Sequence, residues 1–308
     1  MKKKVLIIGY SQSGQLYEIL DKFQDSFKNC DIKRIDIQAK KPFPFPWPGR
    51  DFFDAMPESV LEKEIELEPV SFKSQQYDFI IIGYQPWFLS PSIPVTSLFK
   101  NDDLLRLLNN TPVLTIIGSR NMWLKAHEVI REKIFEAGGY YVANIPFYDR
   151  HNNFISALTI VYWMLTGRKD RMFRIFPLPG ISNEDINKAS EFGQIVNDLL
   201  QSDKCNDMND RLLETGFIKV GTNLLFIEQR AKVLFNIWAN LIVKKGTTPV
   251  KRRIWVQLFK YYLIIALFIV APIVLLFYNI FVAPITKKST NQKKEYYLSV
   301  LPGKYDDK

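Results

Sequence analysis

The segment that could do chemistry lies close to the start of the chain. Residues 3–9 (KKVLIIG) are typical of a buried parallel strand, and they lead into a turn at 11–14 (SQSG) before a helical pattern that begins near residue 16. Backbone N–H groups, two serine hydroxyls and the positive end of a helix dipole would therefore meet at this turn. Such a turn binds a phosphate, or it is an ordinary connection in which a serine caps the helix.

Two well-known phosphate-binding loops do not fit this turn. It contains no lysine, which the loop of nucleoside-triphosphate-binding proteins requires, and it has only Gly9 and Gly14 where a dinucleotide fingerprint has three spaced glycines. The remaining pattern, Ser-x-Ser-Gly-x-x, resembles the flavodoxin loop that holds the 5′-phosphate of FMN with hydroxyls and amides alone. FMN is therefore a candidate ligand of the turn.

The surrounding chain predicts a doubly wound α/β domain. Apolar or alternating runs predict strands at 4–9, 31–37, 78–83, 112–118 and 140–145, and helical patterns predict helices at 14–27, 93–109 and 121–137. The runs without polar residues are typical of central parallel strands that are buried on both faces. Five such units indicate a flavodoxin-like, doubly wound parallel five-stranded sheet with the strand order 2-1-3-4-5.

In a sheet of this order, ligands bind beyond the carboxyl ends of the strands, at the switch point between strands one and three. The loops after strands one, three and four then form one site. In flavodoxin-like proteins the second and third of these loops enclose the flavin ring, and each supplies a tryptophan here, Trp87 or Trp123, for stacking. A polar cluster that includes Tyr148 and His151 follows strand five at the same edge.

A long insert follows strand two. Residues 40–72 begin KKPFPFPWPG, which alternates proline with aromatic residues. A stiff, extended stretch of this kind cannot join the interior of a sheet. We interpret the insert as a lid over an apolar substrate, a wedge that faces a membrane, or an arm packed on the domain.

Charge and cysteine content restrict the function classes. The net charge of +9 lies in the second half, because residues 1–150 carry 19 basic and 19 acidic side chains, whereas residues 151–308 carry 22 and 13. The two cysteines, Cys30 and Cys205, are far apart, which indicates a reducing compartment; with only two histidines and no Cys/His cluster, no metal site is expected. The basic excess indicates a membrane, and not a nucleic acid, as the partner of the C-terminal half.

Residues 261–286 contain no charged side chain, and this run is long enough to cross a bilayer core of roughly 30 Å. Basic residues flank it on both sides, although the positive-inside rule favours only one cytoplasmic flank. We favour a single span, but a re-entrant hairpin that turns at Pro272 would keep both flanks in the cytoplasm. No signal peptide is expected, so the catalytic domain is placed in the cytoplasm, at the cytoplasmic membrane.

The chain therefore divides into four predicted parts. The domain at 1–150 contains the insert, a helical extension occupies 151–250, the membrane segment lies within 254–286, and a basic tail occupies 287–308. Within the extension, helices are expected at 154–166, 182–201 and 223–243, with a polar linker at 202–216. The helix at 223–243 lies at the bilayer interface or packs into the domain with a wide apolar face.

Three motifs carry a resemblance to a known family. They are IIGYSQSGQL at the first turn, GYQPWFLSPS after strand three and IIGSRNMW after strand four, accompanied by a basic, membrane-associated C-terminal extension. The chain resembles the bacterial flavodoxin-like dialkylresorcinol condensing enzymes or aromatases of aryl polyene and flexirubin-type pigment pathways. The resemblance extends over most of the chain, although only the three loops are motif-like.

This resemblance implies FMN as the cofactor and a ketosynthase as a partner that makes a dialkylcyclohexane-1,3-dione, which this protein would oxidise to a 2,5-dialkylresorcinol. The residues expected to hold FMN are Ser11, Gln12, Ser13, Gly14, Gln15, Leu16, Gln85, Pro86, Trp87, Phe88, Gly118, Ser119, Arg120, Asn121 and Trp123. By position, Arg120 would stabilise an anionic dienolate, and Tyr148 or His151 would move the proton. A membrane anchor suits a lipophilic substrate with two alkyl chains, and the sequence is compatible with a homo-oligomer.

Two other functions fit parts of the sequence. The first is a membrane-tethered electron-transfer flavoprotein or quinone reductase, although the neutral domain, the insert and the extra helices differ from small acidic flavodoxins. The second is a flavin-free scaffold that recruits a ketosynthase to the membrane.

Overall fold

The protein is described here by a computed structural model of residues 2–74 and 76–301. Its strands are β1 (Lys3–Gly9), β2 (Cys30–Asp36), β3 (Phe79–Tyr84), β4 (Pro86–Trp87), β5 (Ser90–Pro91), β6 (Pro112–Ser119) and β7 (Tyr140–Tyr148). The main sheet is parallel, with the order β2-β1-β3-β6-β7, and β4 and β5 form a separate hairpin. The five expected strands are therefore present in the order 2-1-3-4-5, and the flavodoxin-like fold class is confirmed.

The apolar runs form the middle of the sheet because both of its faces are covered. Every residue of β3 is buried, and successive residues such as Ile80 and Ile81 point into different cores on opposite faces. At the carboxyl ends of β1 and β3, a Cβ added to Gly9 would lie 2.7 Å from the carbonyl oxygen of Gly83. Glycine is therefore required where these two strand ends meet, at the switch point.

Helices cover the sheet and extend beyond it. They are α1 (Gln15–Gln24), α2 (Gly49–Asp54), α3 (Met56–Val60), α4 (Ile93–Leu98), α5 (Asp102–Leu108), α6 (Leu124–Glu136), α7 (Asn153–Thr166), α8 (Asn183–Gln201), α9 (Met208–Glu214), α10 (Thr222–Lys245), α11 (Pro249–Val282) and α12 (Lys287–Leu298). Short 3-10 turns lie at Met172–Arg174 and Cys205–Asp207.

Two helical expectations are wrong. The single helix expected at 93–109 is divided into α4 and α5, because the side chain of Asn101 accepts a hydrogen bond from Leu104 N at 2.9 Å and so caps a new helix. The polar linker expected at 202–216 contains α9, which buries Met208 and Leu212 in the core on the α1 side of the sheet. Two apolar side chains are sufficient to hold this short helix on the domain.

The insert connects the carboxyl edge of the sheet to α11. An isolated bridge between Ala39 and Leu67 closes its base. At its other end, Arg252 of α11 donates to Asp54 Oδ1 and to Glu58 Oε2, each at 2.7 Å. The insert is thus an arm packed between the sheet edge and the apolar helix.

Helix α11 runs through Pro272 without reversing. Wider π-helical turns lie at Ala266–Val270 and Tyr278–Val282, and the first of these precedes Pro272, which lacks the N–H donor of a regular turn. Within residues 2–74 and 76–301, α11 is the one helix long and apolar enough to cross a membrane, and its most apolar stretch of 18 residues has a mean hydropathy of 2.7. Residues 287–298 of the predicted basic tail form α12, and residues 302–308 lie outside the described residues.

Candidate functional site at the carboxyl edge of the sheet

The first turn presents free backbone amides at the switch point. Gly14 has a φ of +84°, a left-handed conformation that favours glycine, and Ser11 Oγ accepts from Leu16 N at 3.2 Å to close the turn. In the described part of the chain, no hydrogen bond uses the N–H groups of Ser13, Gly14 or Gln15. A Cβ added at Gly14 would meet nothing within 4 Å, so the space beside this residue is open. Such an arrangement binds anions.

Hydrogen bonds to other segments fix the two glutamines of the turn. Gln12 N donates to Gln85 Oε1 at 2.7 Å, so the loops after β1 and β3 are in contact. The side chain of Gln12 also donates to the carbonyl of Pro44 at 2.8 Å, which attaches the insert to the turn. Gln15 and Ile181 exchange two hydrogen bonds, each of 2.9 Å. The turn is therefore held in place before any ligand arrives.

The loop after β3 is a tight hairpin. Pro86 begins it, and its two tip residues, Phe88 and Leu89, have φ angles of +48° and +62°. Residues other than glycine and asparagine rarely adopt this backbone conformation, so contacts with the surrounding residues must hold it. The ring of Phe88 packs against Phe52 of the insert with a centroid distance of 5.1 Å, and Leu89 is buried.

Trp87 lies at the base of this hairpin under aromatic side chains of the insert. Its ring centroid is 5.0 Å from that of Phe43, which meets it edge-on, and 4.9 Å from that of Trp47. Tyr10 contacts it from the loop after β1 at 5.9 Å. As a result, Trp87 is only 8 % exposed, and the insert covers the ring face that was expected to stack on a flavin.

The loop after β6 contains polar atoms that are buried without partners. Ser119 Oγ and Asn121 Oδ1 have no hydrogen-bond partner within the described residues. Gly118 packs on Leu16, where a Cβ would lie 3.3 Å from the leucine Cβ. Trp123 is fully buried, so in this conformation it presents no ring face to the site. Atoms of this kind also occur elsewhere in the described residues, but these two lie at the carboxyl edge of the sheet and are candidates to bind a ligand's polar edge.

Arg120 is fixed by the start of α7. Its Nη1 donates to the carbonyl oxygen and to Oδ1 of Asn153, both at 2.9 Å, and Asn121 Nδ2 donates to the same Oδ1 at 2.8 Å. Burial lowers the pKa of Arg120 to about 10, so its guanidinium remains charged at neutral pH. Its other N–H groups donate to no residue that the structure describes, which leaves them available to an anion.

A buried carboxyl group on α10 supports the same loop. Glu228 Oε1 accepts from Lys125 N at 2.7 Å, whereas Oε2 has no partner among the described residues. Burial raises the pKa of Glu228 to about 7, and the charge of Arg120 lowers it by a smaller amount. The protonation state of this carboxyl group therefore changes close to neutral pH.

A carboxylate–histidine pair follows β7. The fully buried side chain of Asp149 accepts from His151 Nδ1 at 2.6 Å and from Ser156 Oγ at 2.7 Å. The imidazole side chain is 44 % exposed, so its other nitrogen can exchange protons with a ligand or solvent. Tyr148 lies instead under the guanidinium of Arg150, 4.9 Å from its ring centroid. Of the two predicted proton carriers, His151 has the environment of a general base.

A cavity of about 680 Å³ lies beside this pair, with Arg150, His151, Lys188 and Gly180 in its lining. Gly180 also borders the first turn, because a Cβ at this position would lie 2.6 Å from Gln15 Oε1. Gly180 thus lies between the cavity and Gln15, but none of the described lining residues belongs to the first turn. Its lining contains acidic and basic side chains.

The structure brings most of the predicted site residues to one edge. The loops after β6 and β7 are joined by a hydrogen bond of 3.3 Å from Asp149 N to the carbonyl of Ser119. Sequence reasoning missed Asp149 and Glu228. The Asp-x-His spacing at the end of a strand was a signal for the first, and a lone acid within an apolar helix was a signal for the second.

The sequence matches no protein-family model and no curated protein. Among solved structures, the chain is similar to a flavoprotein of Lactobacillus acidophilus in complex with FMN, with 20 % identity over 47 % of this chain and 91 % of that one and a TM-score of 0.36. It is also similar to a flavoprotein of Bacteroides uniformis, with 14 % identity over 53 % of this chain and 99 % of that one and a TM-score of 0.38. It is similar as well to oxidised flavodoxin 1 of Bacillus cereus, with 18 % identity over 62 % of this chain and 94 % of that one and a TM-score of 0.34.

The raised pKa of Glu228 predicts a pH-dependent stability. The unfolded carboxyl group releases its proton near pH 4.5, whereas the folded one retains it until about pH 7. The stability contributed by the neutral group is therefore complete below pH 4.5 and is lost as the pH rises to 7, by about 3 kcal/mol in total. Glu228→Gln should remove this slope from the free energy of unfolding measured between pH 4.5 and 7.

Glu18→Gln, on the exposed side of α1, is the matched control and should retain the slope. If the free energy of unfolding of Glu228→Gln depended on pH as it does in the wild type, the Glu228 carboxyl group would not be the source of the slope.

Proposed function

We propose that the chain binds FMN at the carboxyl edge of its sheet and oxidises a dialkylcyclohexane-1,3-dione, supplied by a ketosynthase, to a 2,5-dialkylresorcinol. The observation that carries the proposal is the set of free amides at Ser13, Gly14 and Gln15, which would hold the 5′-phosphate without a lysine. When bound, FMN supplies a hydride acceptor.

The ring of the cofactor would lie between the loops after β3 and β6. Ser119 Oγ and Asn121 Oδ1 have no hydrogen-bond partner in the part of the chain that the structure describes, and they would bind its polar edge. Trp87 would provide a stacking face once Phe43 has moved from its ring. Trp123 remains in the core beneath the loop. In this proposal the insert opens for the cofactor and closes over it.

Contacts between aromatic rings connect this edge to the apolar helix. Phe259 of α11 contacts Phe88 at 6.4 Å, and Phe88 contacts Phe52 at 5.1 Å. From Phe52 the contacts continue to Trp47 at 5.3 Å and to Trp87 at 4.9 Å. An apolar route of this kind suits a ring with two alkyl chains that partitions into lipid. It favours a lipophilic substrate, either the dione or a quinone, over an electron carrier whose partner is a protein.

Three side chains would perform the protein's part of the chemistry. Conversion of the dione enol to the resorcinol removes one hydride and one proton. His151 takes the proton at its exposed nitrogen, and Asp149 holds the imidazole in the required tautomer. Arg120, fixed by Asn153, stabilises the negative charge that develops on the substrate oxygen.

An added charge at the first turn tests the phosphate site. Ser13→Asp should weaken FMN binding by about a hundredfold or more, since two like charges ~5 Å apart at an effective dielectric constant of about 20 repel by roughly 3 kcal/mol. Riboflavin, which lacks the phosphate, should bind this variant as it binds the wild type. Quenching of flavin fluorescence on titration gives both dissociation constants.

Ser13→Asn has a similar shape without the charge, and it should bind FMN within a few-fold of the wild type. Equal affinity of the wild type for FMN and riboflavin would contradict the proposed phosphate site.

A second experiment tests the proton carrier. His151→Gln should lower turnover of the dione by about a hundredfold or more, the usual contribution of a general base, and leave FMN affinity unchanged. Asp149→Asn should lower turnover by at least as much, because the asparagine amide can donate to Nδ1 and so hold the imidazole in the wrong tautomer. Product formation at saturating dione, followed by absorbance, measures both rates. Full turnover in His151→Gln would remove His151 from the mechanism.

A further inference from the structure

Both ends of α11 are attached to the same domain. Near its start, Arg252 binds Asp54 and Glu58 of the insert at 2.7 Å. Near its end, Tyr278 is 5 % exposed, and its ring stacks on Phe226 of α10 with a centroid distance of 3.7 Å. The helix therefore lies along the domain and does not project from it.

The chain beyond α11 also returns to the domain. Tyr297 of α12 is 2 % exposed and belongs to the core that contains β3 and α6. Arg131 Nη1 of α6 donates to the carbonyl of Tyr296 at 3.1 Å, and Asn209 Nδ2 of α9 donates to that of Leu298 at 3.1 Å. These contacts show that α12 packs on the domain that contains the sheet.

This arrangement is not compatible with an upright span. Arg252 and Tyr278 are separated by 26 residues, or about 39 Å of helix, whereas the apolar core of a bilayer is about 30 Å thick. An upright helix would place these two residues on opposite sides of the membrane. A single water-exposed domain cannot contact both of them across a bilayer.

The outer side of α11 is nevertheless apolar. The side chains on this side are at least half exposed, and they include Ile265, Ile269, Ile273, Leu276, Phe277 and Ile280. The inner side packs on the protein near the two ends of the helix, through Val256, Phe259 and Tyr278, whereas no side chain of residues 266–277 is buried. A continuous apolar surface of this length requires a cover.

The charges around this surface indicate what covers it. Between residues 229 and 294 the chain has twelve Lys and Arg residues and no Asp or Glu, although residues 1–150 have no net charge. Basic side chains at the margins of an apolar surface are attracted to the headgroups of anionic lipids.

We propose that α11 lies in the plane of the membrane, with its outer side in the lipid and both basic flanks on the cytoplasmic side. The protein is then attached to one leaflet and does not cross the bilayer. This orientation accounts for two basic flanks, which a single span leaves in conflict with the positive-inside rule. It also brings α11 to the lipid surface, and Phe259 on its inner side is where the contacts toward Trp87 begin. The proposal does not depend on which ligand occupies the sheet edge.

Cysteine labelling of the full-length chain tests this orientation. In a Cys30→Ser, Cys205→Ser background, Lys251→Cys and Lys288→Cys report the two flanks, and Lys28→Cys reports the domain; all three lysines are exposed. A membrane-impermeant maleimide is applied to right-side-out and to inverted vesicles of the cytoplasmic membrane. We expect all three positions to react in inverted vesicles and none to react in right-side-out vesicles.

Reaction of Lys288→Cys only in right-side-out vesicles, with Lys28→Cys reacting only in inverted ones, would establish a span and overturn the proposal. Recovery of the wild-type chain as a soluble dimer that does not float with phosphatidylglycerol vesicles would overturn it as well, because a second copy would then cover the apolar side. Flotation with phosphatidylglycerol vesicles that weakens at high salt, with weaker flotation on phosphatidylcholine alone, would support it.

Discussion

Burial of the parallel sheet on both faces is the constraint on which the rest of this structure depends. Such a sheet leaves only its edges and strand ends free, and the connections place the polar loops at the carboxyl ends. Gly9 and Gly83 allow the two central strand ends to approach closely, and α1 then begins with amides that donate to no partner among the described residues. The site is therefore a direct consequence of the strand order.

The insert connects this edge to the apolar helix. It binds Gln12 through the carbonyl of Pro44 at one end and Arg252 through Asp54 at the other. Between these points its aromatic rings cover Trp87. The same segment therefore contacts the first turn, Trp87 and α11.

The sequence was sufficient to predict the strands, their order and the loops that meet at the carboxyl edge, because unbroken apolar runs such as 79–82 have few other stable arrangements. It was not sufficient to predict contacts between distant segments. The division of residues 93–109 depends on one side chain, Asn101, and the burial of Glu228 depends on how α10 packs against α6. The covered faces of Trp87 and Trp123 depend on tertiary packing, which no local pattern encodes.

The most direct test of the central claim is a spectrum of the detergent-purified protein, recorded before and after anaerobic addition of a 2,5-dialkylcyclohexane-1,3-dione. We predict a yellow protein whose flavin absorbance is bleached by the dione, with formation of one equivalent of resorcinol. Bleaching by NAD(P)H but not by the dione would contradict the proposed reaction and favour a quinone reductase or electron carrier. A colourless protein that cannot take up added FMN would contradict the flavin site itself.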